Sequence, residues 1–211
     1  MRFSRKFARW ALFAVLIVPF LTLLTVSIAH ADVPRDALRH QRELTRHARA
    51  VWGLDAPVAM FAAQIHQESR WHTDAKSTVG AEGVAQFMPG TATWISGAYK
   101  LGEPQPYNIG WAMRALVTYD YYLWQRVNAI SPCERAAMTL SAYNGGLGWV
   151  YRDQDLAAKN GHDRKRWFGS VELFNAGRSK DNFAQNRDYP QVILIRWQPI
   201  YSLWGGDISC K

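Results

Sequence analysis

From Asp32 onward the sequence places helix starts and stops at short intervals and shows almost no alternation of apolar with polar residues. A half-buried strand needs that period of two, whereas recurrence every three or four residues between caps specifies helices. The chain is therefore expected to be mainly α. Its 211 residues, 48% hydrophobic and 13% aromatic, suit one ordinary core, so one domain is expected rather than two.

A first helix is expected from Pro34 to Trp52, with Asp32 as its cap, proline near the first turn and Gly53 at its stop. Asp55 and Pro57 open a second, on which Val58, Phe61, Ile65 and Glu68 recur at spacings of three, four and three and so share the buried face. Thr91 to Tyr99 reads as helix and Gly102 to Pro106 as a turn. Asn108 caps a long helix to about Ala129, whose Ala115, Tyr119, Tyr122 and Leu123 are assigned to the core rather than to a binding stripe. Ser131-Pro132-Cys133-Glu134 is a strong start, because serine can cap, proline suits the first helical position, and glutamate can reach back to complete a capping box. That helix ends within Ser141-Ala142-Tyr143-Asn144-Gly145-Gly146. Further helices are expected around Trp149 to Lys159 and from Tyr189 or Pro190 to Leu203, with a kink at Pro199.

The first 31 residues stand apart. Arg2, Arg5, Lys6 and Arg9 precede an apolar run from Trp10 to Ile28, which leads into Ala29-His30-Ala31. This is the pattern of a secretory signal with an A-x-A-like cleavage site. An uncleaved anchor is the alternative, since the run approaches the ~20 residues that cross a bilayer. Either way the body, residues 32–211, is expected outside the cytoplasm, in the periplasm. Four of the 25 basic residues and no acidic one lie in this segment, leaving 21 basic against 17 acidic, a formal +4. That is too mild for nucleic acid and suits a polyanionic surface such as a bacterial wall. In an oxidising compartment Cys133 and Cys210 can form a disulfide, although two independent buried thiols fit the sequence as well.

Glu68 ends the apolar face of the second helix. Burial and the negative end of the helix dipole both disfavour its ionised form, giving the raised pKa that a general acid needs near neutral pH. Periodicity alone favours an ordinary helix-end glutamate paired with Arg70 or another base. After it come Gly80 and Gly83, which would let backbone approach a ligand closely, and Ser77 and Gln86, whose groups could orient sugar hydroxyls and acetamido groups.

The stretch ESRWHTDAKSTVGAEGVAQFMP, Glu68 to Pro89, resembles the signature of lytic transglycosylases of the soluble-transglycosylase (SLT) type, without a gap. Ala142-Tyr143-Asn144 is similar to that family's second motif and Asn186-Arg187-Asp188-Tyr189 to its last, in the expected order, so the likeness covers about Trp52 to Arg196. The resemblance implies a lysozyme-like α fold with a substrate groove, no cofactor, and cleavage of the β-1,4 bond between N-acetylmuramic acid and N-acetylglucosamine in peptidoglycan glycan strands. It makes Glu68 the sole acid and base, and gives a 1,6-anhydromuramoyl product. It implicates Ser77 and Gln86 in holding the muramoyl sugar, Met88 and Tyr143 in shaping the groove, and Asn144 and Tyr189 in positioning substrate or Glu68. Ser69 matches too, as a residue that finishes the helix. Val84-Ala85 and Asp74 depart from the common pattern.

Three competitors stand beside this reading. Asp74 or Glu82 facing Glu68 across the groove would favour a hydrolysing muramidase. A non-catalytic wall-binding component of a secretion or conjugation apparatus would keep the groove without the activity. The catalytic reading also admits recruitment by such an apparatus, by analogy alone. A zinc site is excluded because His66-Gln67-Glu68 lacks its P-C-x-x-C partner, residue 136 being alanine. The segment from Ile195 to Lys211 is expected to pack on the body.

Overall fold

The computed structural model describes residues 33–210; the segment expected to be a signal or anchor lies outside them, as does Asp32, the expected cap of the first helix. These residues form seven α-helices: α1 Arg35–Trp52, α2 Val58–Ser69, α3 Pro89–Tyr99, α4 Ile109–Trp124, α5 Pro132–Gly145, α6 Leu147–Lys159 and α7 Lys180–Gln191. A short 3-10 turn, Val171–Leu173, precedes α7. A π-helical segment, Val192–Trp197, and a 3-10 segment, Gln198–Trp204, follow it. None of the described helices is long and apolar enough to cross a membrane.

Helices α2 and α5 form the centre. Every residue from Val58 to Ile65 is buried, and so is every one from Ala136 to Ala142, as befits helices apolar on nearly all sides. The spacing in α2 implied one buried face. Its other side is covered by the π and 3-10 segments of the C-terminal tail, which a pattern local to α2 does not reveal. Tyr201 and Trp204 of that tail are buried at 0% and 7% exposure. A disulfide between Cys133 and Cys210 ties its end to the start of α5. Closing a loop across 77 residues contributes on the order of 2–4 kcal/mol.

Several expected boundaries move, each for a tertiary reason. Asp55 makes no cap on α2; instead the Ala59 amide donates to the Gly205 carbonyl at 3.0 Å, so the tail closes the helix start. Helix α4 is capped by Asn108, whose side chain accepts from the Trp111 amide, but it stops at Trp124 rather than near Ala129. Beyond it the chain turns to meet the 164–165 loop: the Ile130 amide donates to the Lys165 carbonyl, and Gln154 Nε2 donates to the Asn128 and Arg164 carbonyls. Ser131 caps α5, yet the capping box is not completed. The Glu134 carboxylate instead accepts from the amides of Trp167 (2.6 Å) and Phe168 (3.0 Å). Helices α3 and α6 each start two residues early. The last helix begins at Lys180, nine residues before the expected start, under a Ser179 cap. Pro190 lies inside it rather than at its start.

Candidate active site

The cleft is built outward from the end of α2. After Ser69 the chain leaves the helix through left-handed Arg70 and Trp71, and the Ser69 hydroxyl donates to the Val84 carbonyl at 2.8 Å, tying the helix end to the returning loop. That loop is closed by short-range bonds. The Ser77 amide donates to the Ala81 carbonyl, the Ala81 amide donates back to Ser77 Oγ at 2.9 Å, and Glu82 and Phe87 exchange amide-to-carbonyl bonds at 3.0 Å. Gln86, itself left-handed, donates from Nε2 to the carbonyls of Gly83 (2.9 Å) and Ala75 (3.2 Å). A Cβ on Gly83 would fall 1.8 Å from the Pro106 carbonyl oxygen. The glycine therefore serves contact with the 102–107 turn, and neither it nor Gly80 lines the cleft, contrary to the expectation of a close approach to ligand.

The opposite wall comes from α5 and α7. Asn186, 1% exposed, donates from Nδ2 to the Ser141 carbonyl (2.9 Å) and Asn144 Oδ1 (3.1 Å), and accepts from the Ser141 hydroxyl (2.8 Å). A Cβ at Gly145 would lie 2.7 Å from Asn186 Nδ2, so only glycine lets the two helices come this close. One turn beyond Asn186, Tyr189 reaches across to α2 and donates its hydroxyl to Glu68 Oε1 at 2.5 Å. Buried Asp153 holds the same wall, accepting from Arg187 Nη2 at 2.7 Å and from Arg178 Nη1.

Between these walls runs a cleft of about 520 Å³, lined by Glu68, Ser77, Gln86, Met88, Tyr143 and Asn144 among others. Six of the seven groove residues expected from sequence thus meet in it. The seventh, Tyr189, stands behind Glu68, buried at 4% exposure. Tyr143 donates its hydroxyl to the Ala85 carbonyl at 2.7 Å, fixing α5 to the loop. Ser77 and Gln86 spend part of their hydrogen-bonding capacity on the loop itself, which leaves the Ser77 hydroxyl proton and Gln86 Oε1 for a ligand.

The cleft also takes residues with no sequence signal, including Thr91, Trp149, Arg178, Asn182 and Gln185. Ala115 and Leu123 are core as expected, but Tyr119 lines the cleft and Tyr122 is only half-buried. Their helical spacing was compatible with either use.

Glu68 opens on the cleft while the protein takes away most of its hydration. That loss pushes its pKa up to about 7, and the Tyr189 hydroxyl bond, which favours the carboxylate, offsets it only in part. Burial and the neighbouring Glu68 raise Tyr189 and Tyr143 well above the phenol range, so both remain neutral donors. Among the described residues Glu68 is the only carboxylate lining the cleft. Asp74 is exposed and Glu82 pairs with Lys76 Nζ at 3.2 Å. Sequence reasoning missed Asp120, which is fully buried and whose Oδ1 accepts from Gln64 Nε2 at 3.4 Å. Its Oδ2 and Gln64 Oε1 have no partner, and burial holds its carboxyl well above the ordinary range. A proton on Oδ2 would let it donate to Gln64 and satisfy both orphans. His66, instead of serving a metal, pairs through Nδ1 with the Tyr201 hydroxyl at 2.7 Å and stacks on Trp197.

Comparison with known proteins agrees with this layout. The profile of the Transglycosylase SLT domain matches residues 47–168. The membrane-bound lytic murein transglycosylase F of Maricaulis maris is 30% identical over 149 residues, covering 68% of this chain and 31% of that protein. The soluble lytic murein transglycosylase of Salmonella typhimurium is 32% identical over 126 residues, covering 55% and 17%. The chain thus spans less than a third of the length of these relatives. The fold is shared with the 70 kDa soluble lytic transglycosylase SLT70 of Escherichia coli (TM-score 0.57, 22% identity, 80% of this chain and 25% of that one). The 70 kDa soluble lytic transglycosylase in complex with bulgecin A matches it too (TM-score 0.60, 23% identity, 83% and 26%). With a lysozyme-like, mainly α architecture and more than half of its length within the family profile, the chain belongs to the Transglycosylase SLT domain family.

Proposed function

We propose that this protein is a peptidoglycan lytic transglycosylase with Glu68 as its single general acid and base. The observation that carries the reading is a lone cleft carboxyl poised near neutrality, with no second carboxylate on the walls among the described residues. Glycosidases that hydrolyse place a second carboxylate roughly 5–9.5 Å from the first, as nucleophile or as base for water. Here one group does both jobs. Protonated Glu68 gives its proton to the bridging oxygen as the muramoyl C1–O bond breaks and C1 gains oxocarbenium character. The resulting carboxylate takes the proton from the sugar's 6-hydroxyl as O6 bonds to C1, so Glu68 ends protonated, water is not consumed, and the product is a 1,6-anhydro ring. A pKa near 7 suits a group that must both lose and regain a proton.

Tyr189 orients the carboxyl and steadies its ionised form. Ser77, Gln86 and Asn144 offer polar groups to the muramoyl sugar, while Met88 and Tyr143 shape the groove. We further propose an N-terminal export signal and a periplasmic location, which the disulfide supports because such bonds persist in oxidising compartments. The partner in this proposal is the glycan strand alone. Purified protein is expected to release 1,6-anhydromuropeptides from sacculi, read by mass spectrometry, while Glu68→Gln binds sacculi and releases none. Equal product from both proteins removes the single-glutamate mechanism. Reducing ends without anhydro rings point to a hydrolysing muramidase.

A further inference from the structure

Outside the cleft, the face of α3 carries an aromatic group that the site described above does not use. Trp94 is 42% exposed and Tyr99 38% exposed. Trp94 lies three residues beyond Thr91, which lines the cleft, so it sits on the same side of α3 and about one 5 Å turn further along. Its ring meets Tyr122 at 4.9 Å, Tyr119 at 5.9 Å and Tyr99 at 6.5 Å between centroids, with interplanar angles of 69°, 71° and 79°. All three contacts are T-shaped, and among the described residues no aromatic ring stacks parallel to Trp94. Tyr119 and Tyr122 are themselves stacked at 17°, and the Arg126 guanidinium sits 3.6 Å over Tyr122. A partly exposed indole is thus buttressed by three tyrosines beside the cleft.

Packing alone does not call for this arrangement, because the buried tryptophans 71, 111, 167 and 204 already serve the core. The ridge is also continuous with the cleft, since Tyr119 both lines the cleft and supports Trp94. We infer that Trp94, held by Tyr119, Tyr122 and Tyr99, is an outer sugar-binding platform that takes the next N-acetylated pyranose units of a glycan strand already seated in the cleft. The apolar C–H face of a pyranose can pack on the exposed part of the indole, and its equatorial hydroxyls and acetamido group stay in water, so the site needs no deep pocket. This rests on the cleft being a glycan site. It adds that affinity grows with strand length and that the chain recognises strand interiors as well as ends.

The test uses the Glu68→Gln protein, which leaves the strand intact, and peptide-free glycan of two and of five disaccharide units, with binding followed by calorimetry. Adding Trp94→Ala is expected to weaken five-unit binding about tenfold more than two-unit binding, equivalent to ~1.4 kcal/mol, and Trp94→Phe to restore most of the difference. Equal weakening at both lengths would mean that the substitution merely disturbs the fold, and no change at either would leave the ridge to another partner; each result overturns the platform while leaving the cleft reading intact. Failure of the Glu68→Gln protein to bind glycan of either length would instead remove the cleft reading, and the platform with it.

Discussion

The two walls of the cleft are made by opposite strategies. The 70–88 loop is stitched by hydrogen bonds that span three to fifteen residues, from Ser69 to Val84, Ser77 to Ala81, Gln86 to Ala75 and Gly83. The α5–α7 wall is held by bonds that span 25 to 45 residues, from Asn186 to Ser141 and Asn144 and from Arg178 and Arg187 to Asp153. Local stitching costs little chain entropy for each bond made, whereas long-range ties form only once the helices have docked. The first wall should therefore tolerate single losses, while the second should fail as a unit.

The sharpest way to break this comparison is Asp153→Ala. It strands two guanidinium groups, at 4% and 10% side-chain exposure, around an emptied site. Removing one partner of a buried ion pair costs roughly 3–5 kcal/mol. Urea unfolding is expected to show a loss of that size together with loss of sacculus-degrading activity, because α7 carries Tyr189. A loss below about 1 kcal/mol would mean that the distal wall is not held by this cluster.

On the local wall, Gln86→Ala removes two donors to loop carbonyls, each worth on the order of 1 kcal/mol. The expected outcome is a stability loss of roughly 1–2 kcal/mol and faster amide exchange at Glu82 and Phe87, with the amides of α7 unchanged. Acceleration in α7 as well would show that the walls are coupled and erase the distinction.

The same contrast explains what could be read from the sequence. The 68–89 stretch was legible chiefly through its resemblance to the SLT signature, and such a signature survives as one contiguous run because the bonds that shape it are local. Ser77, Gln86 and Met88 accordingly fall in the cleft as expected. The start of α7 was illegible because KDNFAQNRD is polar nearly throughout and buries only Asn186 before Tyr189. No apolar period marks a helix held by an asparagine and a buried ion cluster. The unmade cap at Asp55 and the unclosed capping box at Glu134 fail in the same way: a distant partner, the Gly205 carbonyl or the Trp167 amide, outcompetes the local one. Tyr119 misled because period 3.6 reports only that a face is shared, not whether core or ligand covers it.

The smallest effect on stability, and the most informative about coupling between the walls, is expected from Tyr189→Phe. The hydroxyl bond spans 121 residues and favours the ionised form of Glu68. Its loss should therefore raise the Glu68 pKa above about 7 and carry the alkaline limb of the pH–rate profile upward, while the maximal rate falls because the carboxyl is less well oriented. A limb that moves down, or does not move, would mean that the bond does not tune Glu68. Stability supplies an independent check of sign. A carboxyl at about 7 in the folded protein against 4.5 in the unfolded one binds its proton more tightly when folded. Its contribution is fully present below pH 4.5 and is lost as pH rises through 7. Tyr189→Phe should extend that decline to higher pH. Glu68→Gln should abolish it, leaving the variant more stable than the parent at pH 8 by up to a few kcal/mol and nearly matched to it at pH 4.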